Sequence, residues 1–140
     1  MRHMIFGESH GPAIGVVLEG VPAGLELDLE QVQWELDRRR PGKDPTATAR
    51  KEADRVEVLS GLFEGKTTGA PLAMVIYNSD QRSKDYESIR YTPRPGHGDY
   101  AGFIKSRGSQ DYRGGGHFSG RLTAPLTGAG AVGKEVLGRK

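Results

Sequence analysis

No cysteine occurs among the 140 residues, which excludes disulfide scaffolds, thiolate metal sites and cysteine nucleophiles. Long apolar runs are missing too. No stretch approaches a transmembrane span, and the opening MRHMIF is too short for a signal peptide. These absences point to a soluble protein of a reducing, cytoplasmic compartment with no membrane partner. Large apolar residues are also scarce: 29 positions are Leu, Ile, Val or Phe, about the one-fifth share below which highly charged chains are disordered. The formal net charge is only +2, so the charge half of that signature is absent. A single folded domain with a thin core is expected.

What the chain has in excess is glycine, 21 residues, about twice the usual share. Such positions serve turns and close backbone approaches rather than core volume. Charge is uneven: residues 1–80 carry 9 Lys/Arg and 13 Asp/Glu, whereas residues 81–140 carry 11 and 5. A basic, glycine-rich second half suits an anionic partner, either nucleic acid or a phosphorylated small molecule.

The segment IFGESHGPAIGVVLEGVPAG reads as strand, polar turn, strand. LDLEQVQWELDRRRPG carries the clearest helix signal. Asp28 is the N-cap with Gln31 three residues on in a capping-box arrangement, Leu29, Val32 and Leu36 share a face, and Pro41-Gly42 stop the helix. Trp34 falls on the opposite side. Residues 43–54 are polar and aperiodic and read as a mobile loop. RVEVLSG and APLAMVIYN read as two strands joined by LFEGKTTG, where Gly65 and Gly69 suit a hairpin turn. Residues 80–120 read mostly as a functional loop. Leu122 to Leu137 reads as a helix with Leu122, Leu126, Ala129, Gly133, Val136 and Leu137 along one face. Its other faces are mainly small, and such a helix belongs inside a larger body, covered by more chain or another subunit.

Three histidines sit beside glycines: His10 in GESHG, His97 in RPGHGD and His117 in RGGGHFSG. Approachable rings that titrate near neutrality are candidate acids and bases. A solvated loop histidine is the plain alternative for any one of them, less so for three. The spacing is not HExxH and no ligand cluster accompanies it, so no metal is expected. Arg38, Arg39, Arg40, Arg94, Arg107, Arg113 and Arg121 are fork-shaped donors for phosphate or carboxylate, although most read as surface charge. GGGHFSG before a helix offers backbone N–H groups, Ser119 and a helix N-terminus to an anion, without the P-loop spacing. Ser9 beside His10 lacks the GxSxG elbow and an Asp to complete a triad. RGGG and SRGS near tyrosines suit RNA, but the arginines do not repeat. By themselves the residues lead to a phosphorylated anion with histidine acid–base chemistry.

Taken together, FGESHGPAIGVVLEGVPAG, LDRRRPG, LSGLFEGKTTGAPLAMVIYNSDQRSKDY, RPGHGDY and YRGGGHFSGRLTAPLTGAGA resemble the chorismate synthase family in order and spacing. The resemblance covers essentially the whole chain and is to the N-terminal portion of a single chorismate synthase domain, so residues 1–140 are expected to be part of a longer domain. It implies an α+β fold, the β-α-β sandwich of that family, here only its N-terminal part. It also implies a lyase that eliminates phosphate from 5-enolpyruvylshikimate-3-phosphate in the anti-1,4 sense. The product, chorismate, marks the last common step of the shikimate pathway to aromatic amino acids. Reduced FMN is required, and some members use NADPH to reduce the flavin themselves. A small-molecule substrate, no nucleic acid and a homotetramer at full length follow from the same resemblance.

Its site residues carry over by position. His10 matches the proton donor toward the leaving phosphate, and His97 the second catalytic histidine, which works around the reduced flavin. Ser9, His10, Arg39 and Arg94 match substrate-contacting positions, and Arg39 also an NADPH contact. His117, Phe118 and Ser119 align with a flavin-contacting tripeptide that is commonly Arg-Ser-Ser, so a fixed cation becomes a titratable ring and a hydroxyl an aromatic. Pro45 stands where many members carry a basic residue, which weakens an NADPH-type contact there. The alternatives are a catalytically silent fragment that binds flavin or phosphorylated anions, and a nucleic-acid-binding module using the basic half. Alone, the 140-residue piece is expected to be inactive.

Overall fold

Alternation of apolar and small or polar side chains decides how the strands pack. The computed structural model describes residues 1–39, 54–79 and 83–138. In it, β1 (Arg2–Gly7) and β2 (Ala13–Glu19) pair antiparallel, with Ile5 opposite Val16 and Gly7 opposite Ile14. Next come β3 (Val56–Ser60), the short β4 (Leu62–Phe63) and β5 (Lys66–Thr67), and β6 (Leu72–Tyr77). The main sheet runs β1-β2-β6-β3, antiparallel throughout, while β4 and β5 form their own small hairpin. Every second residue of β2 and β6 (Ile14, Val16, Leu18; Leu72, Met74, Ile76) is buried on one face. The other face keeps Met4, Phe6 and Tyr77 exposed, with the Phe6 ring across Gly15, where any Cβ would collide with it.

Two helices cover the buried face. In α1 (Leu29–Arg38), Asp28 Oδ1 accepts from the N–H groups of Glu30 and Gln31, both at 3.0 Å, as the capping signal requires. The reciprocal bond does not come from Gln31. Asp28's own N–H donates to Glu135 Oε2 at 3.0 Å, so a distant helix supplies the second half of the cap. Val32 and Leu36 are buried, and Trp34 lies outward beneath the Arg38 guanidinium, 4.9 Å from its ring.

The reading of 80–120 as mostly loop needs correction. Asp99–Ser106 form α2, and Ser83–Ile89 a 3-10 turn. The α2 signal is weak because Gly98 supplies no side-chain cap and the helix has only eight residues. It is held from outside by Phe118, whose Cβ lies 3.2 Å from where a Cβ on Gly98 would stand, and by Gln110 Oε1 and the Phe118 ring, which fill the space a Cβ would need at Gly102. Residues 43–53 of the expected polar loop lie outside the described residues, whereas Asp54 is buried.

The last helix, α3 (Thr123–Gly138), is where expected, but only part of the expected face is buried: Leu122 and Ala129 are in the core and Val136 packs against it. Ala124, Pro125, Gly128, Ala129, Ala131 and Val132 face the sheet and α1, while Leu126 and Leu137 are exposed. Small residues dominate the buried stripe, and Met74 Cε lies at an ordinary packing distance, 3.6 Å, from where a Cβ on Gly128 would stand. Leu36, Val56, Met74, Ala124 and Pro125 line a small apolar cavity in the same layer.

Replacing Asp28 by Ala is expected to cost about 1 kcal/mol in urea unfolding, whereas Asp28→Asn should cost only a few tenths. Equal losses in the two variants would show that the cap is not the source of the effect.

Candidate active site

The GESHG turn hangs from the ends of β1 and β2. Its Ser9 and His10 are 2% and 6% exposed, and Ser9 Oγ lies 3.1 Å from His10 Nδ1. The Tyr86 ring meets His10 edge-on at 4.9 Å between centroids. On the other side the RGGGH segment closes down. Ser9 N–H donates to Gly116 O at 3.1 Å, and His117 Nδ1 lies 2.8 Å from Gly7 O. A carbonyl only accepts, so His117 carries its proton on Nδ1 in that contact.

This closure depends on glycine. Gly114, Gly115 and Gly116 all have positive φ, and a Cβ on Gly114 would collide with the His10 ring and crowd Ser9 Oγ to 2.9 Å. Just upstream, Asp111 accepts from Arg113 through Nε and Nη2, both at 2.8 Å. Those hydrogen bonds hold the Asp111 carboxyl below the usual carboxylate range against the opposing effect of burial, with His10 adding to the lowering.

Beneath the turn lies an ionic group. Arg39, the C-cap of α1, donates through Nη1 to Asp54 Oδ2 at 3.2 Å and through Nη2 to Thr123 Oγ1 at 2.8 Å. Arg121 pairs with the other oxygen of Asp54, and both side chains are almost fully buried. Burial is the main influence pulling the Arg39 guanidinium below its ordinary value; Asp54 opposes it and Arg121 adds to it. Arg121 also donates through Nε (3.3 Å) and Nη2 (3.2 Å) to Asn78 Oδ1. Asn78 Nδ2 in turn donates to the carbonyls of Glu8 at 3.2 Å and Gly11 at 2.8 Å.

The structure therefore brings Ser9, His10 and His117 together, with Arg39 and Arg121 joined to them through Asn78 and Asp54. His97 is exposed on the adjacent loop, where its Nδ1 contact is Pro95 O of its own turn at 3.1 Å. Arg94 is gripped by Asp99, through Nε at 2.8 Å and Nη2 at 3.1 Å. Those bonds, chiefly from Arg94, lower the Asp99 carboxyl. Phe118 is half exposed, edge-on to His117 at 6.2 Å and with Lys105 Nζ 6.0 Å from its ring centre. Ser119 Oγ accepts from Arg121 N–H at 3.3 Å, capping the short turn before α3. Sequence reasoning missed Asp54, Asn78, Tyr86 and Asp111, none of which stands in a glycine turn or an arginine run. Among the described residues no group of three or more His, Asp or Glu is placed to hold a metal.

The family described as chorismate synthase matches residues 1–140. The chain belongs to the chorismate synthase family. It is 57% identical over 138 residues to a chorismate synthase of Aeropyrum pernix, covering 99% of this chain and 36% of that protein. It is 58% identical to one of Paraburkholderia phytofirmans, over 96% of this chain and 37% of the relative. A crystal structure of chorismate synthase superposes with a TM-score of 0.66 at 34% identity, covering 98% of this chain and 34% of that one. The chain thus spans a little over a third of the length of the chorismate synthases it matches, and its α+β fold is that of the family.

Two outcomes are expected from this geometry. Gly114→Ala should displace the His10 ring and shift its imidazole NMR signals. Gly115→Ala, where a Cβ meets only Ser119 Cβ at 3.6 Å, should leave them in place at a similar backbone cost. Indistinguishable spectra would refute the close approach. The second outcome concerns acid. Asp99 has a depressed folded pKa, so its pairing stabilises fully above the usual aspartate value of about 4 and is lost as pH falls through the lowered value. Asp99→Asn should lower the melting temperature near neutrality, and the gap should close in strong acid. A gap constant with pH would exclude an ionic contribution.

Proposed function

We propose that residues 1–140 form the N-terminal portion of a chorismate synthase domain, and that the complete enzyme eliminates phosphate from 5-enolpyruvylshikimate-3-phosphate to give chorismate. The observation that carries this reading is His10, a ring enclosed by the glycine loop and bonded to Ser9, beside the Arg39–Asp54–Arg121 group. Breaking the C–O bond to phosphate puts negative charge on the leaving oxygen. His10 supplies a proton there, and Arg39 offsets the remaining charge. Ser9 orients the His10 ring and contacts the substrate. Arg94, anchored by Asp99 through Nε and Nη2, contacts a substrate anion through Nη1. His97 serves as the second acid–base histidine.

Reduced FMN, when bound, supplies electron density to the reacting ring. The residues fit such a group: His117 has an exposed ring tied through Nδ1 to Gly7, which directs Nε2 away from the turn, and Phe118 offers a half-exposed ring with Lys105 nearby. Ser119 completes that set. NADPH as the flavin reductant would use Arg39; Pro45, which bears on that contact, lies outside the described residues. The exposed Met4, Phe6 and Tyr77 on the outer sheet face support burial of that face in a homotetramer. Among the described residues no helix is long and apolar enough to cross a membrane. A cytoplasmic enzyme acting on a small molecule, without nucleic acid, is the consistent reading.

The test is chorismate formation under anaerobic conditions with reduced FMN in excess. In the complete enzyme, His10→Ala should lose about 10²–10⁴ in rate. The 140-residue chain alone should give no turnover, because it provides one side of the site. Near-normal rates for the His10 variant would overturn the assignment.

A further inference from the structure

We infer that Asn78 is a positioning residue for His10, acting through the turn that carries it. An amide side chain has two N–H donors and an oxygen with two lone pairs, and all four are used here. Nδ2 donates to Glu8 O (3.2 Å) and Gly11 O (2.8 Å), the carbonyls on either side of Ser9-His10. Oδ1 accepts two N–H groups of Arg121, and the Asn78 backbone N–H donates to Pro12 O at 3.0 Å. Arg121 cannot swing, because Asp54 holds its far end in a buried pair. The amide orientation is therefore fixed from behind, and it fixes the span from Glu8 to Pro12 in front.

Only asparagine satisfies both sides. Aspartate keeps the Arg121 contact but turns a carboxylate toward two carbonyls, and serine reaches neither side fully. Asn78 touches no reacting atom in this assignment, which rests on His10 being the acid proposed above.

The experiment compares Asn78→Asp, Asn78→Ser and His10→Ala, and the Asn78→Asp/His10→Ala pair, in the complete enzyme. Asn78→Asp should stay folded, lower kcat by about 10–100-fold because a misplacement near 1 Å has that effect, and leave KM nearly unchanged. Added to His10→Ala it should produce no further loss, since it acts through the missing ring. An equal loss with and without His10, unchanged kcat, or failure of both Asn78 variants to fold would overturn the inference and leave Asn78 a purely structural residue. A large His10→Ala effect without an Asn78→Asp effect overturns this inference alone. Full turnover in His10→Ala overturns the acid assignment and this inference with it.

Discussion

The buried carboxylate of Asp54, held between two guanidiniums, is the constraint on which the site depends. Taking an ion out of water costs several kcal/mol unless partners replace its hydration, and removing one partner of such a pair leaves the other charge stranded. Asp54 therefore compels Arg39, at the end of α1, and Arg121, just ahead of α3, to converge on it. The backbone reinforces this. Gln33 of α1 donates to Asp54 O at 3.0 Å and accepts from Val56 N–H at 3.1 Å, which clamps the entry to β3 against the helix. Two helix ends and the start of an edge strand are tied at one point.

Above that point the site is built mainly from backbone. The GESHG turn and the RGGGH segment are joined by main-chain or main-chain-to-ring bonds, and the glycines between them remove the side chains that would keep the two apart. A segment with three consecutive positive-φ residues is conformationally costly for any residue other than glycine. Part of the glycine content thus serves the site, while other positive-φ glycines, such as Gly61 and Gly65, serve turns elsewhere. The core itself is modest: one layer of sheet residues under two helices carries the packing.

Much of this is legible in the sequence alone. Asp28 marks α1, the alternation in β2 and β6 marks the sheet, and the glycine-flanked histidines mark the turns, because each signal lies within a few residues of its effect. The failures have the opposite character. The buried stripe of α3 is legible only in part: Leu122, Ala129 and Val136 follow the leucine-led pattern, whereas Ala124, Gly128 and Ala131 are too small to signal a buried face. Helix α2 was missed because its stabilising contact, Phe118 over Gly98 and Gly102, comes from another segment. Asp54 read as part of a polar loop because its two arginines lie 15 and 67 residues away in sequence. Asn78, whose partners are spread from residue 8 to residue 121, carries no local mark at all.

The packing of α3 and the geometry of the site are then one problem. Ser119 caps the turn that leads into the helix, Arg121 lies in that turn, and Thr123 Oγ1 donates to Gly120 O at 2.6 Å while accepting from Arg39. These residues sit at the end of a helix whose height above the sheet is set by Ala124, Pro125, Gly128 and Val132. A small apolar cavity lies under that stripe, so only a side chain larger than the cavity can hold would lift the helix and carry Arg121 away from Asp54 and Asn78. The small residues of α3, which contribute little apolar area, therefore do their work through distance: they fix how far the arginine stands from the turn that holds His10.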